Sequence, residues 1–254
     1  MLVDTHCHIH EPYKLPVDEV LQRAHEAGVT QMICVGTGEE SSHQAVVFAA
    51  EHDGVYASIG VHPHDTKDGY DEIAHIADAM PKKLVAVGEI GLDYFYTHSP
   101  REVQIAALKA QMDVALRHNL PIIFHVRDAF DDFWPLFEEF EQKYGEVRGV
   151  LHSFTDSVEN LEKALSKGLY IGVNGISTFT KDAAQQAMFD AIPLERLVFE
   201  TDAPFLTPTP YRGKINEPAY VRVVAEYHAQ RRSISLEEIA QASTRNARTL
   251  FDLH

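Results

Sequence analysis

Eight short apolar runs, each followed by a turn and an amphipathic stretch, constrain this chain more than any other feature. They are LVDTHCH, QMICVG, VYASIGVH, LVAVGEIG, PIIFHV, RGVLHSF, LYIGVNG and RLVFETD, rich in the β-branched residues that favour strands. Helical patterns with start signals lie between them. Ser99 with Glu102 reads as a capping box ahead of IAALKAQMDVALRH, and Ser235 with Glu238 opens the last helix in the same way. One marker per run (His6, Val35, Gly60, Glu89, His125, His152, Asn174 and Asp202) lies 22 to 36 residues from the next, room for a strand and one covering helix but not for a linker. The alternation predicts a single (β/α)8 TIM-type barrel, distortion allowed, as one domain over residues 1–254. An open doubly wound sheet shares the local pattern and is the alternative.

A chain of 254 residues with 45% hydrophobic composition can bury a core of that size. Its charge argues against a nonspecific grip on DNA. With 22 basic and 38 acidic residues the formal charge is −16, so a polyanionic substrate would need local attraction. Arg212 and Lys214 in YRGKIN are the one candidate basic patch, whereas Arg231 and Arg232 read as a solvated helix face. No apolar run approaches the ~18 residues of a membrane helix, and no basic leader precedes the first strand, so a cytosolic protein without membrane partners is expected. Cys7 and Cys34 fall inside strands and are expected to be reduced, buried thiols. The chain has no GxSxG elbow or GxxxxGK[ST] loop, and the GTG at Gly36 lacks the third glycine of a dinucleotide fingerprint.

Side chains two apart on a strand share a face, so His6 and His8 point the same way and Cys7 the other. In a barrel the C-terminal strand ends converge on one mouth. There the pattern places His6 and His8 from strand 1, Glu89 from strand 4, His125 from strand 5, His152 from strand 6 and Asp202 from strand 8. Singly, each could be a helix cap or a hydrogen-bonded histidine. Together, four imidazoles and two carboxylates would be costly to desolvate unpaired, and a pair of divalent cations relieves that cost with the right ligand types.

The motifs DTHCHIH, IGVHPH, GEIGLDYFY, FHVRDA, LHSFTDS, YIGVNGISTF, ETDAPFLTP and RGKINEPAYV run in order from Asp4 to Val221. This ordered set resembles the TatD family of metal-dependent deoxyribonucleases, a branch of the amidohydrolase-like barrels. The resemblance implies that His6 and His8 hold one metal with Asp202, that His125 and His152 hold the other, and that Glu89 bridges them. It also sets the chain apart from related barrels bridged by a modified lysine. Val126, Ser153 and Asp156 depart from the family's HSRDA and HCFTGS patterns; none is an expected ligand, and Asp156 at a helix start is expected to cap it.

The implied chemistry is two-metal hydrolysis, with Asp202 orienting the attacking water and accepting its proton. His62 and Arg127, at strand ends 3 and 5, are expected to bind a phosphate oxygen, and Arg212 to add a further substrate contact. The ions would be magnesium, manganese or zinc, since mixed imidazole and carboxylate ligation suits each. The implied substrate is DNA, trimmed from a single-stranded 3′ end, with no obligate protein partner. A small-molecule amidohydrolase or lactonase using the same metals is the alternative, and a binding protein with structural metals is a third reading.

Overall fold

The computed structural model describes residues 1–254. Strands and helices alternate along the chain as β1 (Leu2–Cys7), α1 (Val17–Glu26), β2 (Val29–Val35), α2 (Glu39–Glu51), β3 (Val55–Ile59), α3 (Glu72–Asp78), β4 (Leu84–Asp93), α4 (Arg101–Arg117), β5 (Ile122–Arg127), α5 (Phe130–Tyr144), β6 (Gly149–Leu151), α6 (Val158–Ser166), β7 (Tyr170–Val173), α7 (Ile176–Phe179), α8 (Ala183–Ala191), β8 (Leu197–Phe199), α9 (Val221–Arg232) and α10 (Leu236–Phe251). Each predicted apolar run overlaps one of these strands, with β2 starting two residues before its run and β4 and β5 ending two and one residues after theirs. The eight strands follow one another in sequence order through one sheet, with parallel pairing, and β8 leads back to β1 through the Cys7–Ala203 bridge. This is the (β/α)8 barrel class, and the open doubly wound alternative is set aside because its strand order reverses at a switch point.

The chain divides into two compact units, one formed by Met1–Cys34 with Ser153–His254 and the other by Val35–His152. In the first, α10 packs on β1 and β8 and buries Ile239, Leu250 and Phe251. Its N-cap is Ser235, whose hydroxyl accepts from Glu238 N–H as expected (3.1 Å). Arg23 grips Glu217 with two nitrogens, which fixes α1 to the segment before α9. Cys7 and Cys34 are register partners on β1 and β2; both are buried free thiols with sulfurs 4.0 Å apart. In the second unit, Phe124 of β5 packs edge-on against Phe133 of α5 at 5.1 Å between ring centres, and Phe137 completes the cluster.

Two capping expectations are corrected. Ser99 does not cap α4, which starts after Pro100; the Ser99 hydroxyl pairs instead with Thr66 Oγ1 at 2.8 Å, a contact between residues distant in sequence that outweighs the local signal. The cap of α6 is Ser157, not Asp156, because Asn160 N–H bonds the Ser157 hydroxyl. Asp156 supports that cap from one residue earlier, accepting from Ser157 N–H and Asn160 Nδ2, both at 2.7 Å.

Candidate active site

In the first unit the ends of β1 and β8 bring three donors together. Asp202 adopts a left-handed backbone (φ 59°), which a short polar side chain tolerates, and its N–H donates to His6 O at 2.8 Å. His8 N–H in turn donates to Ala203 O at 2.7 Å. These bonds bring the Nε2 atoms of His6 and His8 to 3.2 Å from each other and to 3.7 and 3.2 Å from Asp202 Oδ1. Both imidazoles are buried. Beneath them Asp4 accepts from Thr201 N–H at 2.8 Å and Thr201 Oγ1 at 2.6 Å, tying β1 to the end of β8. Burial pushes the Asp4 carboxyl up to about 8 although the Thr201 bonds pull it down.

In the second unit one oxygen gathers the other predicted residues. Glu89 Oε1 lies 2.8 Å from His125 Nδ1, 3.6 Å from His62 Nε2 and 3.7 Å from His152 Nε2, and the carboxylate is 4% exposed. Close approach of β5 requires glycine on β4, because a Cβ at Gly91 would meet His125 O at 1.8 Å. His62 Nδ1 accepts from His64 N–H at 3.1 Å, which leaves the proton of the neutral ring on Nε2, facing Glu89. Burial and the neighbouring His125 press the His62 pKa down to about 3.

Sequence reasoning missed Asp93. It lies on β4 with the alternation of Glu89, and its fully buried Oδ2 is 2.9 Å from His125 Nε2, 2.9 Å from Arg127 Nη2 and 3.0 Å from His64 Nε2. Burial opposes its ionisation, yet the bonds from His125 and Arg127 hold its carboxyl well below the usual range. For His125, burial lowers basicity, and the bonds to Asp93 and Glu89 outweigh it and raise the pKa. Spacing could have flagged Asp93, since residues 89, 91 and 93 share one strand face. His64 was also unassigned.

The two predicted arginines differ. Arg127 is held by Asp93 and set against two aromatic rings, with its guanidinium carbon 4.6 Å from the Phe95 ring centre and 4.7 Å from that of Tyr96. Arg212, on the loop after β8, donates to Thr207 O at 2.8 Å and covers the Phe179 ring at 3.9 Å. At the departures from the family pattern, Ser153 Oγ accepts from Asn174 Nδ2 at 2.8 Å and Ser153 N–H donates to the buried Glu200 at 2.7 Å.

The donor set fits divalent metals. His6 and His8 Nε2 approach Asp202 Oδ1 in the first unit, and His125 Nδ1 and His152 Nε2 approach Glu89 Oε1 in the second. Imidazoles converging on carboxylates are what such ions require and what an uncharged ligand would leave poorly compensated. A parallel eight-stranded barrel bearing these donors at its strand ends defines the class of metal-dependent hydrolases. The family model for TatD related DNase matches residues 3–252, and the chain belongs to that family. It is 38% identical to the uncharacterized metal-dependent hydrolase YabD of Bacillus subtilis, with 100% of both chains covered. It is 34% identical to the 3′-5′ ssDNA/RNA exonuclease TatD of Klebsiella pneumoniae, over 93% of this chain and 92% of the relative. Among solved structures, YjjV, a TatD homologue of Escherichia coli K12, superposes with a TM-score of 0.92 at 32% identity, covering 100% of this chain and 98% of that one. The chain is thus a hydrolase of this family acting on ester bonds. No helix is long and apolar enough to cross a membrane.

Proposed function

We propose that this protein is a two-metal phosphodiesterase that trims single-stranded DNA from its 3′ end, working in the cytosol as one domain. One observation carries the reading: imidazoles converge on single carboxylate oxygens, His6 and His8 on Asp202 Oδ1, and His62, His125 and His152 on Glu89 Oε1. In this assignment His6, His8 and Asp202 would hold one ion, and His125, His152 and Glu89 the other. The name of the Klebsiella relative supports the polarity and the single strand and extends the substrate class to RNA.

Bound divalent ions of this kind, whether magnesium, manganese or zinc, polarise phosphoryl oxygens and lower the pKa of water. The protein's own groups supply position and proton transfer. Asp202 takes the proton of the attacking water through its carboxylate. Asp93 fixes the ring of His125 through Nε2 and leaves Nδ1 turned to Glu89. Arg127 offers its remaining N–H groups to a non-bridging phosphate oxygen, and neutral His62 donates from Nε2. Arg212 is the outer substrate contact.

A second reading, a small-molecule amidohydrolase or lactonase on the same donors, is favoured by the formal charge of −16. One panel assay separates the two. Protein reconstituted with each divalent metal is given end-labelled single-stranded DNA, duplex DNA, RNA, simple phosphate esters and lactones. The expected result is release of 3′ nucleotides from single strands, with log affinity falling against log salt at a slope of about −1 to −3 for the few phosphates neutralised. Turnover of lactones or amides with every nucleic acid intact overturns the nuclease reading.

A further inference from the structure

The segment after β4 presents two adjacent aromatic side chains to solvent beside the site residues: Phe95 is 58% and Tyr96 45% exposed. They are not loosely held. Asp93 Oδ1 accepts from Phe95 N–H at 3.0 Å and from Tyr96 N–H at 3.4 Å, while Asp93 Oδ2 holds Arg127 and His125. Tyr94 anchors the same segment, its N–H donating to Arg127 O at 3.0 Å and its hydroxyl to Asp132 at 2.5 Å. The Phe95 and Tyr96 rings stand edge to face at 4.8 Å, and the Tyr96 ring stacks on His98 at 5.3 Å with 30° between planes. Adjacent exposed rings fixed in this way by a buried carboxylate form a rigid apolar surface beside the site residues.

We propose that Phe95 and Tyr96, with Arg127 set against both, form a stacking platform for the base of the nucleotide next to the scissile phosphodiester of a single-stranded nucleic acid. The inference rests on the nuclease reading and adds the subsite that holds the base. Three features favour a base. A base has a π-face that stacks on aromatic rings whatever its sequence, as single-strand binding proteins exploit. Stacking is not repelled by a chain of formal charge −16, so it supplies affinity where a basic groove is lacking. The guanidinium that braces the rings also lies beside the ligand cluster, so a base on the rings brings its phosphate to Arg127. Two side chains offer at most about 300 to 500 Å², below the ~800 Å² per partner of a stable protein interface, which disfavours a docked protein.

The test uses the metal-loaded enzyme and single-stranded oligodeoxynucleotides, one set ending in ordinary nucleotides, one with abasic residues at the two 3′-terminal positions, and one carrying 2-aminopurine at the 3′ end with a phosphorothioate linkage that resists cleavage. Phe95→Ala is expected to raise KM at least about 10-fold with kcat within about twofold, as loss of one base stack predicts. Tyr96→Ala raises KM in the same direction, and Phe95→Trp restores the original value. In the unaltered enzyme the abasic substrate shows the same rise in KM, so the inference does not depend on any variant folding. Quenching of 2-aminopurine on binding is expected and is lost in Phe95→Ala. Equal KM for abasic and ordinary ends, or an unchanged KM in Phe95→Ala, overturns the platform while leaving the nuclease reading intact. A dimer that Phe95→Ala dissociates with KM unchanged overturns it in favour of a protein contact. If no single strand is bound or cleaved, the nuclease reading fails and the platform with it.

Discussion

Replacing Asp93 with Asn tests how the second ligand set is organised. Asp93 Oδ2 now faces three nitrogens, from His125 and Arg127 at 2.9 Å and His64 at 3.0 Å. Asn keeps Oδ1, which accepts from Phe95 N–H, so the following segment stays in place while the amide NH2 turns toward the three nitrogens. His125 can then only accept at Nε2, which moves its proton to Nδ1, the atom 2.8 Å from Glu89 and the one assigned to the metal. A wrong tautomer of this kind costs a ligand rather than a contact. Loss of such an orienting carboxylate lowers metal affinity or activity by about 10- to 100-fold, or about 1.4 to 2.7 kcal/mol. Arg127 also loses its ion pair; its side chain is 39% exposed, so solvent limits that further loss of stability to about 1 kcal/mol. Competition with a chelator should therefore show one metal of two bound about 10- to 100-fold more weakly, with kcat reduced in step at metal concentrations that saturate the unaltered enzyme. The reasoning fails if Asp93→Asn binds both ions with unchanged affinity and turns over normally, because His125 would then not ligate through Nδ1.

Three further outcomes follow from the same geometry. Glu89→Ala removes the carboxylate around which His62, His125 and His152 gather, and elemental analysis should give fewer than two ions per chain with activity abolished and the fold retained by circular dichroism. Asp202→Asn keeps the shape and removes the base, so turnover should drop by roughly 100-fold or more with substrate affinity largely kept; normal turnover with both metals bound would make Asp202 a ligand only. His228, buried against Phe189 and Phe199 and bonded to Ser177, has its pKa pressed down to about 3 by burial and by Arg232 and Arg231. Its neutral form therefore stabilises the fold above about pH 6.5, and that stability is lost on acidification toward pH 3, by about 2 kcal/mol at pH 5; urea midpoints of His228→Gln should change less between pH 7 and pH 5 than those of the parent.

The strand pattern was legible because β-branched runs bounded by turns carry their own signal, and the six candidate ligands could be named because each stands at the end of such a run; that they hold metal is the proposal made above. Asp93 was not. A carboxylate at a strand end has the same sequence appearance whether it caps a helix or receives a histidine, and only the register of β5 against β4 puts His125 and Arg127 beside it. His64 was obscured similarly, since its relation to Asp93 joins the β3 end to the β4 end. Ser99 shows the opposite failure, a clear local signal overridden by Thr66. Arg127 was expected from its position to contact phosphate, but its packing against Phe95 and Tyr96 depends on a loop conformation that no period in the sequence encodes.

These omissions share a cause, and it bears on how an acidic chain handles a polyanion. The attraction for phosphate cannot be read from net charge, because the charge of a donor such as Arg127 is set by the buried carboxylate beside it. Asp93 spends its negative charge on His125, His64 and Arg127, so Arg127 enters the site partly neutralised but rigidly aimed. Its value to a substrate then lies in fixed direction more than in long-range field, which is why a shallow dependence on salt is expected. The same carboxylate holds the backbone of Phe95 and Tyr96 through its other oxygen. One buried residue thus sets the tautomer of a proposed metal ligand, the orientation of a phosphate donor and the position of two aromatic rings, and substitutions that alter its charge and substitutions that alter its shape should separate these effects.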